Sequence, residues 1–356
     1  MGHGILTRRE LLLRSGVLGV GVTLGLRPVQ AAETAVSSLG VGARSDSTTA
    51  PAPAAATASA LTAASSSLIG AYNFHIGALQ ATVISDGFIE DTAPQPLWAP
   101  EARPREFKAA LRSAFLPEDR VRLDANILAL RTAEGVVLID SGAGHLFGPT
   151  VGRLARNLAV AGIHSHEVKG ILISHAHGDH IGGVFDANGA PLFPNATLYT
   201  TATEYDYWTK NPDLSKSGAP AGLRAKITTD AQAFYRAASD RLQMVKPGQV
   251  LFGVVELVAA PGHTPGHTAF LIGSGEDRLL HIVDTAHHSV LMLAHPDWSV
   301  GVDTDSPRAI TTRRRIFAAA AQGRTRVMGY HFPFPGIGHI RPQQGGYQWV
   351  PEPMLL

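Results

Sequence analysis

The sequence predicts an α/β fold in which helices cover two β-sheets. Short apolar or β-branched runs typical of strands occur in both halves of the chain, and stretches with helical periodicity separate them. The composition is that of a globular protein, with 45% hydrophobic and 17% charged residues in a chain of 356. Periodicity alone does not distinguish this α/β sandwich from a doubly wound sheet.

The first 31 residues are predicted to be a signal peptide exported by the twin-arginine route. Arg8 and Arg9 form the arginine pair, a mildly apolar stretch covers residues 15–26, and Ala31 ends a small-x-small cleavage pattern. A membrane anchor is the alternative, but the apolar stretch is shorter than the roughly 20 residues that a spanning helix needs. We therefore expect a periplasmic or secreted protein without a stable membrane anchor after processing.

Residues 32–69 are predicted to be a disordered linker. They are mostly Ala, Ser, Thr and Pro with few large apolar side chains. Such a segment cannot bury enough surface to offset the entropy lost on ordering. The folded domain is therefore expected over residues 70–356.

Within this domain, apolar runs and turn residues predict the elements in order. The turn Asp86-Gly87 ends the first strand, and residues 133–135 join the next two as a hairpin. The predicted strands cover residues 78–85, 126–131, 136–139, 170–174, 197–200, 254–259, 268–272, 279–283 and 327–329. The predicted helices cover residues 149–161, 202–210, 230–238 and 306–322.

A cluster of histidines follows the strand predicted at 170–174. In the run His-Ala-His-Gly-Asp-His, a turn can direct His175 and His177 at one metal ion while Asp179 and His180 face a second. The small residues between them permit the tight backbone path that such a turn needs. The chain has no cysteine, so His and carboxylate side chains must supply the ligands. Four such groups in six residues indicate a metal site rather than core or surface filling.

This motif resembles the signature of the metallo-β-lactamase superfamily, which implies an αββα sandwich with metals at one edge. By the same resemblance, His263 is the third histidine on the first metal, Asp284 bridges both metals and His331 is the last ligand of the second. Asp140, in a turn similar to the superfamily's Asp-Thr-Gly turn, is implied to orient the ligands. His267 is expected to hold a loop near the metals.

The resemblance implies a binuclear metal-dependent hydrolase. Two divalent cations would hold a bridging hydroxide that attacks the substrate. Zinc is the metal expected first, and manganese, cobalt and iron are compatible with the same donors. Asp284 and Asp179 are the candidate catalytic residues, the latter as a proton acceptor. The first metal would be bound by His175, His177 and His263, and the second by Asp179, His180 and His331.

Residues 144–150 and 331–340 look like the corresponding segments of methyl parathion hydrolase and its relatives. These phosphotriesterases are akin to lactone and aryl-ester hydrolases, so the resemblance implies an apolar lactone, aryl ester or organophosphate triester as substrate. Phe147 and Trp208 match aromatic residues that line an apolar pocket in that group, and core packing is the alternative for both. A homodimer is expected from the resemblance alone.

Other functions are found on the same fold. A glyoxalase II-like thioesterase or a β-lactamase would use similar ligands. Iron-dependent oxidoreductases are disfavoured, because flavo-di-iron proteins usually carry Glu where this chain has His177 and need a flavin domain. A nucleic-acid partner is not expected at a net charge of +1. The complete ligand set disfavours a non-catalytic metal scaffold. Residues 313–315 are interpreted as a solvated helix face. His287 and His288, which follow the strand that ends at Asp284, either face the cleft or are ordinary loop histidines, and the second interpretation is favoured.

Overall fold

A computed structural model describes residues 70–354, which form two seven-stranded sheets and the helices that cover them. The predicted signal peptide and linker lie outside the described residues. The first sheet contains, in spatial order, β1 (Ala71–Ile76), β2 (Leu79–Asp91), β3 (Val121–Thr132), β4 (Gly135–Ile139), β5 (Val168–Leu172), β6 (Thr197–Thr201) and β7 (Leu242–Val245).

The second sheet is built entirely from the later part of the chain. In chain order its strands are β8 (Val250–Leu251), β9 (Val255–Ala259), β10 (Thr268–Ser274), β11 (Asp277–Val283), β12 (Arg326–Gly329), β13 (Ile337–Gln343) and β14 (Gly346–Pro351). Most neighbouring strands are antiparallel, but β4 to β7 run parallel in the first sheet and β11 runs parallel to β12 in the second.

Seven α-helices among the described residues flank the sheets. They are α1 (Pro104–Ser113), α2 (Leu154–Val160), α3 (Gly178–Ile181), α4 (Ala202–Lys210), α5 (Ala221–Ala237), α6 (Leu291–Ala294) and α7 (Ser306–Gln322). None of these helices combines the length and the apolar character needed to cross a bilayer.

Two hydrophobic clusters define the layers. The first cluster joins inward-facing residues of both sheets, such as Ile127 and Phe270, and continues under α2, α4 and α5. The second cluster lies between the second sheet and α1, α6 and α7, with Phe107 and Phe317 among its buried members. Burying one face of each helix and both faces of the central strands gives the predicted αββα sandwich.

Several sequence interpretations need correction. The turn predicted at Asp86-Gly87 is an irregularity inside β2, which continues to Asp91, and the helix expected over 230–238 begins at Ala221. The helix expected over 149–161 begins only at Leu154, because the backbone amides of Gly152 and Leu154 donate to the buried Asp86 carboxylate instead. Residues 313–315 are not a uniformly solvated face. The Arg313 side chain is fully buried, and its guanidinium donates to the carbonyl oxygens of Thr285 at 2.7 Å, Pro296 at 3.1 Å and Trp298 at 2.5 Å.

Candidate metal centre

The predicted ligands converge because they follow the carboxyl ends of parallel strands. His175 lies three residues after β5, Asp284 follows β11 directly, and His331 lies two residues after β12. Side chains beyond the carboxyl ends of adjacent parallel strands share one edge of a sheet. Since the two sheets face each other, that edge brings residues of both halves of the chain together. His263 joins them from the loop between β9 and β10.

A short helix presents two more ligands. His177 has an extended backbone, with φ −74° and ψ 148°, and immediately precedes α3. The change from extended to helical backbone sends His177 to one side and lets Asp179 and His180, inside α3, face another. The start of α3 therefore separates His177, which is predicted to bind the first metal, from Asp179 and His180, which are predicted to bind the second.

One carboxylate oxygen lies at the middle of the cluster. Asp284 Oδ2 is close to the Nε2 atoms of five histidines: His287 at 3.0 Å, His180 and His263 at 3.3 Å, His331 at 3.4 Å and His175 at 3.7 Å. Asp179 Oδ2 lies 3.4 Å from His331 Nε2 and 3.7 Å from His180 Nε2. The structure thus brings all seven predicted ligands together, with Asp284 between the two groups.

The donor set fits divalent cations. Ligand atoms of each group lie within 4.8 Å of one another; the first ligand group is His175, His177, His263 and Asp284, and the second is Asp179, His180 and His331. Several of these atoms are buried without a hydrogen-bond partner, namely the Nε2 atoms of His175, His177 and His180 and Oδ1 of Asp284. Burying polar atoms unpaired is costly, whereas cations shared among them would satisfy all four. Nitrogen and oxygen donors suit zinc, manganese, cobalt or iron.

Burial and charge set the protonation of the ligands. Burial lowers the pKa of His175 and of His177 well below the ordinary histidine value, which leaves the neutral ring that binds metals. For Asp284, burial raises the pKa, but the neighbouring His180, His331 and His287 outweigh it and hold that pKa well below the usual range. Asp284 is therefore a carboxylate at neutral pH.

Hydrogen bonds to the far ring nitrogens orient three of the histidines. Asp140 Oδ2 accepts from His180 Nδ1 at 2.8 Å and also from the Ser174 hydroxyl at 2.7 Å. Asp303 Oδ1 lies 2.8 Å from His263 Nδ1, and the Asp124 carbonyl lies 2.9 Å from His331 Nδ1. Such partners fix the tautomer and turn Nε2 towards the centre.

His267 holds the backbone of Asp284, the residue that carries the central carboxylate. Its Nδ1 donates to the Ala260 carbonyl at 2.8 Å, and its Nε2 accepts from the backbone N–H of Asp284 at 3.2 Å. Burial lowers the pKa of His267 to about 3, so the ring stays neutral and keeps both bonds. The structure places this residue beside the ligands rather than among them.

An apolar cavity of about 250 Å³ opens beside the ligands. Its wall includes Phe147, as predicted from the resemblance, together with the ligand side chains of His177, Asp179, Asp284 and His331. Its apolar lining is supplied by Ile89, Leu97, Trp98, Leu123, Leu223, Ile227 and Val302.

The pocket expectation for Trp208 is corrected. Trp208 is fully buried and is not part of the cavity wall, because its indole N–H donates to Glu204 Oε1 at 2.7 Å within the core. Its ring stands edge-on to His177 at a centroid distance of 5.9 Å. The alternative of core packing is the one that the structure shows.

Sequence reasoning missed Glu204 and Asp303 and favoured the wrong alternative for His287. His287 is buried in the cavity wall next to Asp284, as the less favoured position facing the cleft would place it. Glu204 lies in a Thr-x-x-Glu pattern that is typical of helix starts. No local pattern marks Asp303, whose contact with His263 spans 40 residues.

The fold and the clustered His and Asp side chains define a metal-binding αββα protein. The family model of the metallo-beta-lactamase superfamily matches residues 120–328, and the chain belongs to that superfamily. The predicted superfamily and fold are therefore confirmed, while the closer likeness to methyl parathion hydrolase stays a prediction.

Several known proteins are similar to this chain. A probable metallo-hydrolase of Mycobacterium bovis is 27% identical over 225 residues, which span 53% of this chain and 66% of that relative. An N-acyl homoserine lactonase of Bacillus cereus is 26% identical over 280 residues, or 73% of this chain and 99% of the relative. Among solved structures, AidC, a dizinc quorum-quenching lactonase in complex with a product, superposes with a TM-score of 0.76 at 30% identity over 81% of this chain and 99% of AidC.

Proposed function

We propose that this protein is a zinc-dependent binuclear hydrolase that cleaves an apolar lactone or aryl ester, with organophosphate triesters as further substrates. The observation that carries the proposal is the pair of adjacent ligand groups beside an apolar cavity, with Asp284 Oδ2 3.3 Å from His263 of the first group and 3.3 Å from His180 of the second. The similarity to a dizinc lactonase supports both the metal and the substrate class.

The two ligand groups would hold one ion each, with Asp284 common to both. Divalent ions bound there would supply an activated water and polarise the carbonyl or phosphoryl oxygen of the substrate. The chain's contribution is to keep seven donors in place, with the rings of His175 and His177 neutral and Asp284 charged. The depressed pKa of Asp284 keeps it charged throughout the neutral range.

Proton transfer would use ionisable side chains that line the cavity. Asp179 lines the cavity with its carboxylate, and its backbone is fixed because the Tyr330 hydroxyl donates to its carbonyl at 2.7 Å. It is placed to accept a proton during turnover. Burial lowers the pKa of His287 to about 4, so the ring that lies 3.0 Å from Asp284 Oδ2 is neutral.

The cavity wall favours an uncharged substrate. Aliphatic and aromatic side chains form most of it, and such a surface binds acyl or aryl groups by excluding water. The cation in the wall, Lys226, forms an ion pair with Asp230 on the next turn of α5, so its charge is already compensated. An apolar lactone or ester satisfies this surface better than an anionic conjugate does.

A rate panel on the zinc-loaded protein tests the proposal. We expect turnover of an aryl lactone and a p-nitrophenyl ester, less turnover of methyl parathion, and loss of all activities after chelation. His177→Ala should lose metal and at least about 100-fold in rate, more than a change outside the ligand shell costs. His166→Ala, at an exposed position, is the matched control.

Two results would contradict the proposal. A thioester hydrolysed faster than the lactone would assign the chain to the glyoxalase II-like enzymes. An unaltered rate and metal content in His177→Ala would remove the metal centre itself.

A further inference from the structure

We propose that Glu204 is the positioning residue that sets the spacing of the three histidines of the first ligand group. This inference rests on the proposed metal centre and names a residue outside the ligand set. Glu204 contacts neither the cavity nor the ligand atoms. It acts through the two loops that carry His175, His177 and His263.

Each oxygen of the Glu204 carboxylate serves a different loop. Oε1 accepts from the backbone N–H of Ala176 at 3.0 Å and from the indole of Trp208 at 2.7 Å. Oε2 accepts from the Thr264 hydroxyl at 2.7 Å and from the backbone N–H of Gly266 at 3.0 Å. One carboxylate therefore fastens the loop after β5 to the loop before β10.

The fastened residues are sequence neighbours of the ligands. Ala176 lies between His175 and His177, and Thr264 follows His263. A displacement of either backbone segment would change the separation of the imidazoles directly. Trp208 adds a second support, because its ring stands edge-on to His177 while its N–H is held by the same carboxylate.

The local sequence offers this carboxylate another use, which the structure does not adopt. Thr201 caps α4 by accepting from the Glu204 N–H at 3.2 Å, as in the first half of a capping box. In the complete motif the glutamate would turn back to the N–H of the capping residue. Here both carboxylate oxygens bind the ligand loops instead, so the side chain is committed to the site rather than to its own helix.

The Glu204 side chain is buried, and hydrogen bonds satisfy both of its oxygens. Its side chain is 1% exposed, and all four of its donors are uncharged. A carboxylate buried without a cation is tolerated when hydrogen bonds satisfy both oxygens. The approach is also close, since a Cβ on Gly266 would fall 2.4 Å from the Glu204 nitrogen.

The substitution Glu204→Gln tests the inference because it keeps the shape but replaces one oxygen with a donor. The Thr264 hydroxyl can rotate to accept, so the new amide nitrogen should face the His263 loop and leave the Gly266 N–H without a partner. We expect one of two bound Co²⁺ ions to lose about 10–100-fold in affinity while the other is retained. Cobalt titration followed by visible absorbance, with chelator competition, measures this without using activity.

Tyr235→Phe is the matched control. It removes another fully buried polar group, whose hydroxyl lies 3.1 Å from Thr200 Oγ1. A general loss of stability should appear in both variants, but selective loss of one ion should appear only in Glu204→Gln. If Glu204→Gln binds each of the two ions as tightly as the wild type does, the inference is wrong. If the wild type itself binds no ion, the proposed function is wrong.

Discussion

Buried carboxylates organise this protein residue by residue. Asp86, Asp140, Glu204 and Asp303 are all inaccessible to solvent or nearly so, and each is hydrogen-bonded to backbone amides, hydroxyls or imidazoles. Burial raises the pKa of Asp86, Asp140 and Glu204, and the hydrogen bonds to each carboxyl group partly offset this effect. Around the candidate metal centre, Asp140 and Asp303 keep the rings of His180 and His263 in fixed orientations.

Asp303 provides the first test at this scale. Asp303→Ala removes the acceptor for His263 Nδ1 at 2.8 Å and for the Val300 N–H at 3.2 Å. We expect metal affinity to fall about 10–100-fold, because the freed ring can rotate and change tautomer. Isothermal titration with zinc measures the loss.

The control for this change is Asp297→Ala, which breaks an exposed ion pair with Arg314. A surface pair contributes about 0–1 kcal/mol, so zinc affinity should not change. If both variants bound zinc as the wild type does, the orienting role of Asp303 would be wrong.

At the scale of elements, the loop between β4 and α2 depends on one side chain. Asp86 accepts from the backbone N–H groups of Ala143 at 2.8 Å, Gly152 at 3.0 Å and Leu154 at 2.8 Å. This loop carries Phe147 into the cavity wall. Loop geometry and the shape of the cavity are therefore linked through Asp86.

Asp86→Asn is expected to loosen this loop. Each amide left unpaired costs about 1–3 kcal/mol, so urea denaturation should show lower stability. KM for an apolar ester should rise as Phe147 becomes mobile, while zinc content stays unchanged because Asp140 is held separately by Ser174. Asp119→Asn, at an exposed pair with Arg120, is the control. An unchanged KM with lowered stability would contradict the link to the cavity.

Local sequence patterns predicted the central elements but not the outer ones. Strands such as β3 and β11 are buried apolar runs, so periodicity and composition identify them. By contrast, β14 is only partly buried along its length, and α1 buries just Phe107, Ala110 and Leu111. Their positions depend on packing against the rest of the fold, which a local window does not contain.

The same distinction applies to the site. The candidate ligands followed from one dense motif and a family resemblance, because metal ligation restricts residue types. Asp303 and Glu204 could not be predicted, since their contacts with the ligand loops join segments 28 to 62 residues apart. His287 needed the structure because only its burial distinguishes it from a solvated loop histidine.

For the whole molecule, the candidate metal centre lies where the two sheets meet. The segment after β5, in the first sheet, supplies His175, His177, Asp179 and His180, while segments between the strands of the second sheet supply His263, Asp284 and His331. Correct docking of the sheets is therefore a condition for metal binding. Since metal ions would bind only when the two sheets are docked, bound metal should in turn stabilise the sandwich.

Buried neutral histidines should make the whole fold sensitive to acid. Burial lowers the pKa of His288 to about 4, and its Nδ1 accepts from the backbone N–H of Val290 at 3.1 Å. Burial likewise lowers the pKa of His281 to about 3, and its Nδ1 accepts from the Val283 N–H at 3.2 Å. In the unfolded chain both would titrate near the ordinary histidine pKa of about 6.5.

The sign of the effect follows from proton binding. Below about pH 6.5 these histidines bind protons in the unfolded chain but stay neutral in the folded protein. The free energy of unfolding therefore falls as pH drops towards the folded pKa values. Between about pH 7.5 and about pH 5.5, each histidine should cost about 1.4 kcal/mol of stability. Urea denaturation of the metal-free protein measures this without interference from metal loss.

His288→Asn keeps an acceptor for the Val290 amide but cannot be protonated. Its loss of stability between these pH values should therefore be smaller by about 1.4 kcal/mol. A variant with the same pH dependence as the wild type would show that His288 is not kept neutral by the fold.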